Sequence, residues 1–195
     1  MPLIVLLGCQ WGDEGKGKIV DLIAKEADLV ARYQGGNNAG HTVVVDDTTF
    51  ILHTIPTGIL HPGTKCLLGN GMVIDPEAFS QEVKELEQHG IAVDTNVMIS
   101  EMAHLVMPYH KLLDLVQEKK RGKGKIGTTG RGIGCSYGDK VTRQGVRVLD
   151  LRNKDHFVKK VRANLEFYKP CSSKFIAPIA LPLTILFSES GSMPI

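Results

Sequence analysis

Gly8-Cys9-Gln10-Trp11-Gly12-Asp13-Glu14-Gly15-Lys16-Gly17-Lys18 decides how this chain is read. An apolar run, Leu3-Ile4-Val5-Leu6-Leu7, precedes it and predicts a buried strand. Ile19-Val20-Asp21-Leu22-Ile23-Ala24 follows, with Ile19, Leu22 and Ile23 on one helical face that is expected to point inward. Strand, glycine-rich loop and helix in that order bring loop N–H groups and a helix N-terminus to one point. Both favour anionic oxygens, and glycine lets a phosphate approach the backbone. Lys16 and Lys18 add positive charge.

The loop departs from a Walker A motif. Gly17, not Ser or Thr, follows Lys16, and the gap from Gly8 to Gly15 is two residues too long. Asp13 lies inside the cradle, where a bound phosphate repels a carboxylate. Its presence calls for a metal ion or a proton to remove. A solvated turn is the plainer alternative, and the glycine and lysine alternation behind an apolar run weighs against it.

Composition sets the bounds. A chain of 195 residues with 43% apolar content suits one globular domain, or one and a half. A net charge of +2 gives no case for a nucleic-acid surface. Cys9, Cys66, Cys135 and Cys171 are scattered without C-x-x-C pairs, which argues against zinc and disulfides and fits a reducing cytosol. The first apolar run lacks a basic leader, so no signal peptide is expected, and no run is long enough for a membrane span.

Along the chain, Asp28–Tyr33 predicts a second strand, and with it a right-handed crossover in a mostly parallel sheet. Val43–Val45 and Phe50–Leu52 flank Asp46-Asp47-Thr48-Thr49 as a hairpin. Lys65–Leu68 reads as a short strand. Asp75 caps and Pro76 starts a helix with Phe79, Val83 and Leu86 buried, which Gly90 ends. Val97–Ile99 is a strand. Leu105–Lys120 is an amphipathic helix with Leu112, Leu113 and Val116 inward, and 155–168 is another. His53, His61, His89, His104, His110 and His156 show no ligand spacing and are expected to be structural or exposed. The basic run Lys119–Lys125 leads into Gly127-Thr128-Thr129-Gly130, which suits a nearby anion.

Three stretches together resemble the adenylosuccinate synthetase family: Gln10–Lys18, Gln34-Gly35-Gly36-Asn37-Asn38-Ala39-Gly40-His41-Thr42, and Gly127-Thr128-Thr129-Gly130-Arg131-Gly132-Ile133-Gly134. The resemblance spans about residues 2–168 and implies an α/β fold with a P-loop-like nucleotide site and a mostly parallel central sheet. It implies a ligase of purine (AMP) biosynthesis that joins IMP and L-aspartate at the expense of GTP, through 6-phosphoryl-IMP. It implies Mg2+ on Asp13 and the Gly40 carbonyl, Asp13 as general base, His41 as general acid, and Lys16 stabilising the transferred charge. GTP phosphates would lie on Gly12, Asp13, Glu14, Gly15, Lys16, Gly17, Lys18, Gly40, His41 and Thr42. Substrates would meet Asp13, Glu14, Gly15, Lys16, Asn38, Ala39, Gly40, His41, Thr129 and Arg143. The resemblance implies a cytoplasmic homodimer, with Arg143 reaching the IMP phosphate of the neighbouring subunit, and no nucleic acid or membrane partner.

From residue 170 to 195 the sequence turns apolar and proline-broken, unlike the family. The expectation is a family-like unit over 1–169 and a non-matching tail, from a truncated gene product or a frame change near Lys169. The family's guanine-reading and aspartate-binding segments lie beyond the resemblance. A catalytically dead or unstable phosphate-binding fragment therefore stands as the alternative to an active ligase. A P-loop GTPase switch is a third reading, and the altered loop counts against it.

Overall fold

A computed structural model describes residues 2–9, 15–45 and 47–169. Gly12, Asp13, Glu14, the hairpin's Asp46 and the tail 170–195 lie outside the described residues. α1 (Lys16–Ala24) leads to β1 (Leu29–Gly35), and β2 (His41–Val45) and β3 (Thr48–Leu52) form a hairpin. β4 (Lys65–Ile74), α2 (Pro76–Gln88), α3 (Val93–Asn96), β5 (Val97–Ile99) and β6 (His104–Leu105) follow. α4 (Pro108–Arg121), α5 (Ile133–Val141) and α6 (Lys154–Tyr168) complete the order.

The sheet runs β1-β4-β5, with β6 also on β4, and every pair in it is parallel. This is the α/β architecture expected from the alternating pattern. β4 is longer than its sequence suggests. Gly69-Asn70-Gly71 continues it past Leu68 because the register shifts between Arg32 and Gln34 of β1. A Cβ at Gly69 would lie 2.9 Å from the Tyr33 Cα, and one at Gly71 only 2.2 Å from the Tyr33 carbonyl oxygen. Glycines read as a strand end are what let two backbones meet at a bulge.

Leu68, Met72 and Ile74 of β4 pack with Leu105, Tyr109, Leu113, Phe157 and Val161 in the main core. Leu52, Ile55, Ile59, Cys66, Leu86 and Val93 form a second cluster. Asp75 caps α2 as expected, accepting from the Glu77 and Ala78 N–H groups at 3.2 and 3.5 Å. Gly90, at φ 77°, follows the helix.

Four expectations are corrected. Leu3–Leu7 forms no strand, and Leu3, Ile4, Val5 and Leu7 are exposed. A strand exists only by pairing, and no described strand pairs with this run. α1 forms, but Ile19 and Leu22 face outward while Gly17 and Ala24 are buried. Its small-residue face wins because it allows closer packing. α4 starts at Pro108 rather than Leu105, because the residue before a proline is held extended. Its buried face is Tyr109, His110, Leu113 and Asp114, with Leu112 and Val116 only half-buried. α5 has no counterpart in the sequence reading: Gly134 and Gly138 blur its periodicity, and tertiary contacts hold it, including Ser136 Oγ to the Leu105 carbonyl at 3.2 Å.

Candidate functional site

The start of α1 and the start of β2 meet. Gly15, at φ 79°, accepts from the Lys18 and Ile19 N–H groups at 3.0 and 3.3 Å and so opens the helix. A side chain at Gly17 would place its Cβ 2.8 Å from the His41 Cβ and 3.0 Å from its Cγ. Thr57 Oγ1 donates to the Gly17 carbonyl at 3.3 Å. Lys16-Gly17-Lys18 and Gly40-His41-Thr42, far apart in sequence, are therefore neighbours. The positive end of a helix dipole, the charge of two lysines and a histidine share one locality, a setting that favours anionic oxygens.

The loop from Gly36 to His41 is held through its carbonyl oxygens. Arg32 donates to Gly36 at 2.8 Å, Arg131 donates to Asn37, and His53 Nδ1 donates to Ala39 at 3.0 Å. Behind it, the Glu82 carboxylate accepts from the N–H groups of His53, Thr54 and Ile55 at 2.9–3.2 Å. Arg32 also donates to the His53 and Thr54 carbonyls at 2.5 and 3.2 Å. Burial pushes the Glu82 pKa up, and the three N–H donors hold it back only in part. Burial likewise lowers the Arg32 pKa, opposed by the Glu82 charge. Gly36 and Asn37 are buried, whereas Asn38, Gly40 and Thr42 are exposed. Of the loop residues singled out from sequence, Asn38, Gly40 and Thr42 face solvent, and Ala39 and His41 are half-buried.

The third stretch joins the same place through Arg131. Gly132, at φ 73°, caps α5, and its N–H donates to Asp114 Oδ2 at 3.0 Å. Its missing Cβ would lie 2.6 Å from the His110 and Lys111 backbone. Thr129 is exposed two residues before Arg131. Tyr137 of α5 receives the Gly35 N–H at 2.8 Å and donates to the Gly71 carbonyl at 2.9 Å, tying α5 to the sheet beside the loop. The basic run is exposed, with Glu118 accepting from the Ile126 and Gly127 N–H groups at 3.3 and 3.0 Å.

Arg143 stands apart. It is exposed at φ 66° in the turn after α5, and no hydrogen bond or ion pair among the described residues joins its side chain to the cluster. Gly12, Asp13 and Glu14 lie outside the described residues, so the cradle is seen from Gly15 onward. A carboxylate and a backbone carbonyl are both oxygen donors, the kind a hard cation such as Mg2+ prefers. Gly40 is exposed, and a Cβ there would meet the His53 ring at 3.0 Å, so glycine leaves its backbone approachable.

Sequence reading gave Arg32, Glu82 and Tyr137 no role and quoted Arg131 only within its motif, while His53 is structural as expected. One signal was available: Glu82 falls on the Phe79, Val83 and Leu86 stripe of α2, where a buried carboxylate requires partners.

A family model described as adenylosuccinate synthetase matches residues 5–185. Curated relatives named adenylosuccinate synthetase include one from Halothermothrix orenii, 56% identical over 163 residues, covering 84% of this chain and 38% of its own length. Another, from Desulforamulus reducens, is 53% identical over 166 residues, covering 85% of this chain and 39% of its own. This chain thus spans about two fifths of the length of the curated relatives it matches. Among solved structures, a fully ligated adenylosuccinate synthetase from Plasmodium falciparum superposes with a TM-score of 0.78 at 38% identity, covering 86% of this chain and 39% of that one. A cyanophage S-2L succinoaminodeoxyadenylate synthetase, solved with dGMP and dATP, gives 0.53 at 25% identity, covering 69% of this chain and 37% of that one. By the family model over most of its length and by relatives more than half identical to it, this chain belongs to the adenylosuccinate synthetase family.

Proposed function

We propose that this chain carries the phosphoryl-transfer half of an enzyme that ligates IMP and L-aspartate with GTP. The packing of Gly17 against His41 supports this reading, because it brings the start of α1, with its lysines, next to His41. Asp13 takes the N1 proton of IMP, and the negative charge moves to the C6 oxygen. That oxygen attacks the γ-phosphorus of GTP as the bond to the departing GDP breaks. Lys16 and His41 face the charge that develops on the phosphoryl group and the C6 oxygen. The amine of aspartate then displaces phosphate from C6 and loses a proton. Asp13 and the Gly40 carbonyl would hold Mg2+, which would supply positive charge beside the phosphate oxygens. Asn38 and Thr129 meet IMP, and Arg143 reaches the IMP phosphate of a second subunit in a homodimer.

A reducing, cytoplasmic setting is part of the proposal and is supported by the free thiols of Cys9, Cys66 and Cys135. Among the described residues no helix is long and apolar enough to cross a membrane. A second reading is a phosphate-binding unit without turnover. Mixing the purified chain with IMP, GTP, Mg2+ and aspartate separates the two. Adenylosuccinate absorbance that disappears in Asp13→Asn supports the ligase. Nucleotide binding without absorbance leaves the second reading.

A further inference from the structure

α5 ends in a Schellman motif. The Gln144 N–H donates to the Asp139 carbonyl at 2.9 Å, and the Arg143 N–H donates to the Lys140 carbonyl at 3.3 Å. The residue after the cap of such a motif sits in the left-handed region, where glycine is the usual occupant. Here it is Arg143, at φ 66°. A side chain in that conformation costs free energy that glycine does not. The side chain is exposed, and no hydrogen bond or ion pair among the described residues repays the cost. A backbone outlier of this kind points to a role for the side chain it carries.

The turn is secured from behind. Asn164 lies on α6 in the buried stripe of Phe157 and Val161, and is itself only 5% exposed. Its amide donates to the Gln144 carbonyl at 3.0 Å and to the Tyr109 hydroxyl at 2.9 Å. That hydroxyl donates in turn to Asp139 Oδ2 at 3.3 Å. Asp139 also accepts from His110 Nε2 at 2.9 Å and from the Tyr168 hydroxyl. The Met107 N–H donates to His110 Nδ1 at 2.9 Å, which leaves the ring proton on Nε2, directed at the carboxylate. Asp139 therefore holds the turn twice. Its carbonyl accepts from the Gln144 and Gly145 N–H groups, and its carboxylate orients Tyr109, which orients Asn164. An amide in an apolar stripe is costly to bury unless it is hydrogen-bonded, and here two donors are in use.

We propose that Asn164 is a positioning residue for Arg143: by tying the Gln144 carbonyl to the buried Tyr109–Asp139 pair, it holds the left-handed turn from which the guanidinium meets a phosphate outside this protomer. The proposal rests on the reading of Arg143 as a contact to the IMP phosphate, and names the residue that aims that contact. Without the tie the turn relaxes toward conformations that arginine prefers, and the binding-competent fraction falls, which weakens phosphate binding in proportion.

Hydrogen exchange on the ligand-free 195-residue chain gives the first readout. Asn164→Ala speeds exchange at the Arg143, Gln144 and Gly145 N–H groups by about tenfold or more, while β4 keeps its protection. Unchanged exchange at these three overturns the proposal. Should Asn164→Ala fail to fold, Tyr109→Phe keeps the ring, deletes only the hydroxyl that orients the amide, and is expected to loosen the same three groups. Calorimetric titration gives the second readout, with IMP and with inosine, which lacks the phosphate. Asn164→Ala weakens IMP by about tenfold, leaves inosine unaltered, and has no further effect in an Arg143→Ala background. A loss that persists in that background, or that falls equally on inosine, marks a merely structural residue and overturns the proposal. IMP weakened by Arg143→Ala but not by Asn164→Ala overturns the proposal alone. IMP affinity unaltered by Arg143→Ala, or no IMP binding by the unsubstituted chain, overturns the reading of Arg143 and the proposal with it.

Discussion

Gly17→Ala sets two effects of opposite sign against each other. In a helix alanine is better than glycine by about 1 kcal/mol, and somewhat less in the first turn. The structure adds the opposing effect: the new methyl would lie 2.8 Å from the His41 Cβ and 3.0 Å from its Cγ. Carbon atoms rest about 3.5–4.0 Å apart, so α1 must back away from β2 by roughly 1 Å. Overpacking of this kind costs about 1–3 kcal/mol. The net expectation is a loss of about 1 kcal/mol, or a urea midpoint lowered by roughly 0.5 M for a slope of about 2 kcal/mol/M. Function should suffer more than stability, because a displacement near 1 Å between phosphate-binding groups costs on the order of a hundredfold in a positioned reaction. Urea unfolding followed by circular dichroism gives the first quantity, and GTP titration gives the second. A variant stabilised by the full helix-propensity gain, with unaltered GTP affinity, refutes the packing of α1 on His41.

Gly132→Ala places a methyl 2.6 Å from the His110 and Lys111 backbone at a φ of 73°, and neither backbone atom can yield. It should cost roughly 3 kcal/mol or more, and an unchanged thermal midpoint contradicts this. Glu82→Ala strands three buried N–H groups and leaves Arg32 without its counter-charge; about 3–5 kcal/mol is lost in urea unfolding, and a loss under about 1 kcal/mol speaks against the anchor. Burial, helped by Lys140, Arg147 and Lys160 and opposed by Asp150, lowers the His104 pKa from 6.5 to about 4. The unfolded chain therefore binds the proton first, so stability falls as pH drops from about 6.5 toward 4. His104→Gln should flatten that slope, and a slope retained in the variant contradicts the assignment. Burial raises the Asp139 pKa, but hydrogen bonds from His110, Tyr168 and Tyr109 outweigh it and hold the carboxyl below its usual range. Its contribution is present above the unfolded value and is lost, in the same direction, at more acid pH.

What the sequence revealed about the fold followed from local signals. Asp75-Pro76 and Gly90 bracketed α2 because capping and chain reversal depend on a few adjacent residues. The hairpin and the parallel pairing of β1 were legible from apolar runs and turns. The burial of α1 was not, because its inward face is Gly17 and Ala24, whose small size signals close approach rather than hydrophobicity. Leu3–Leu7 reads as a strand by composition, yet pairing is a property of the partner.

The site divides in the same way. Residues offered to a ligand stand in three quotable motifs, and Arg131 inside the third joins it to the second through the Asn37 carbonyl. The residues that hold those motifs, Arg32, His53 and Glu82, act on backbone atoms, so no side-chain pattern announces them. Only the topology that lays α2 behind the hairpin brings them together.

The account rests on one cradle formed jointly by the start of α1 and the loop before β2. Calorimetric titration of GTP with Mg2+ into the 195-residue chain tests it most directly. Saturable one-site binding, lost in Lys16→Ala and weakened in Gly17→Ala, is the predicted result. No saturable heat, or an affinity indifferent to both substitutions, would contradict it.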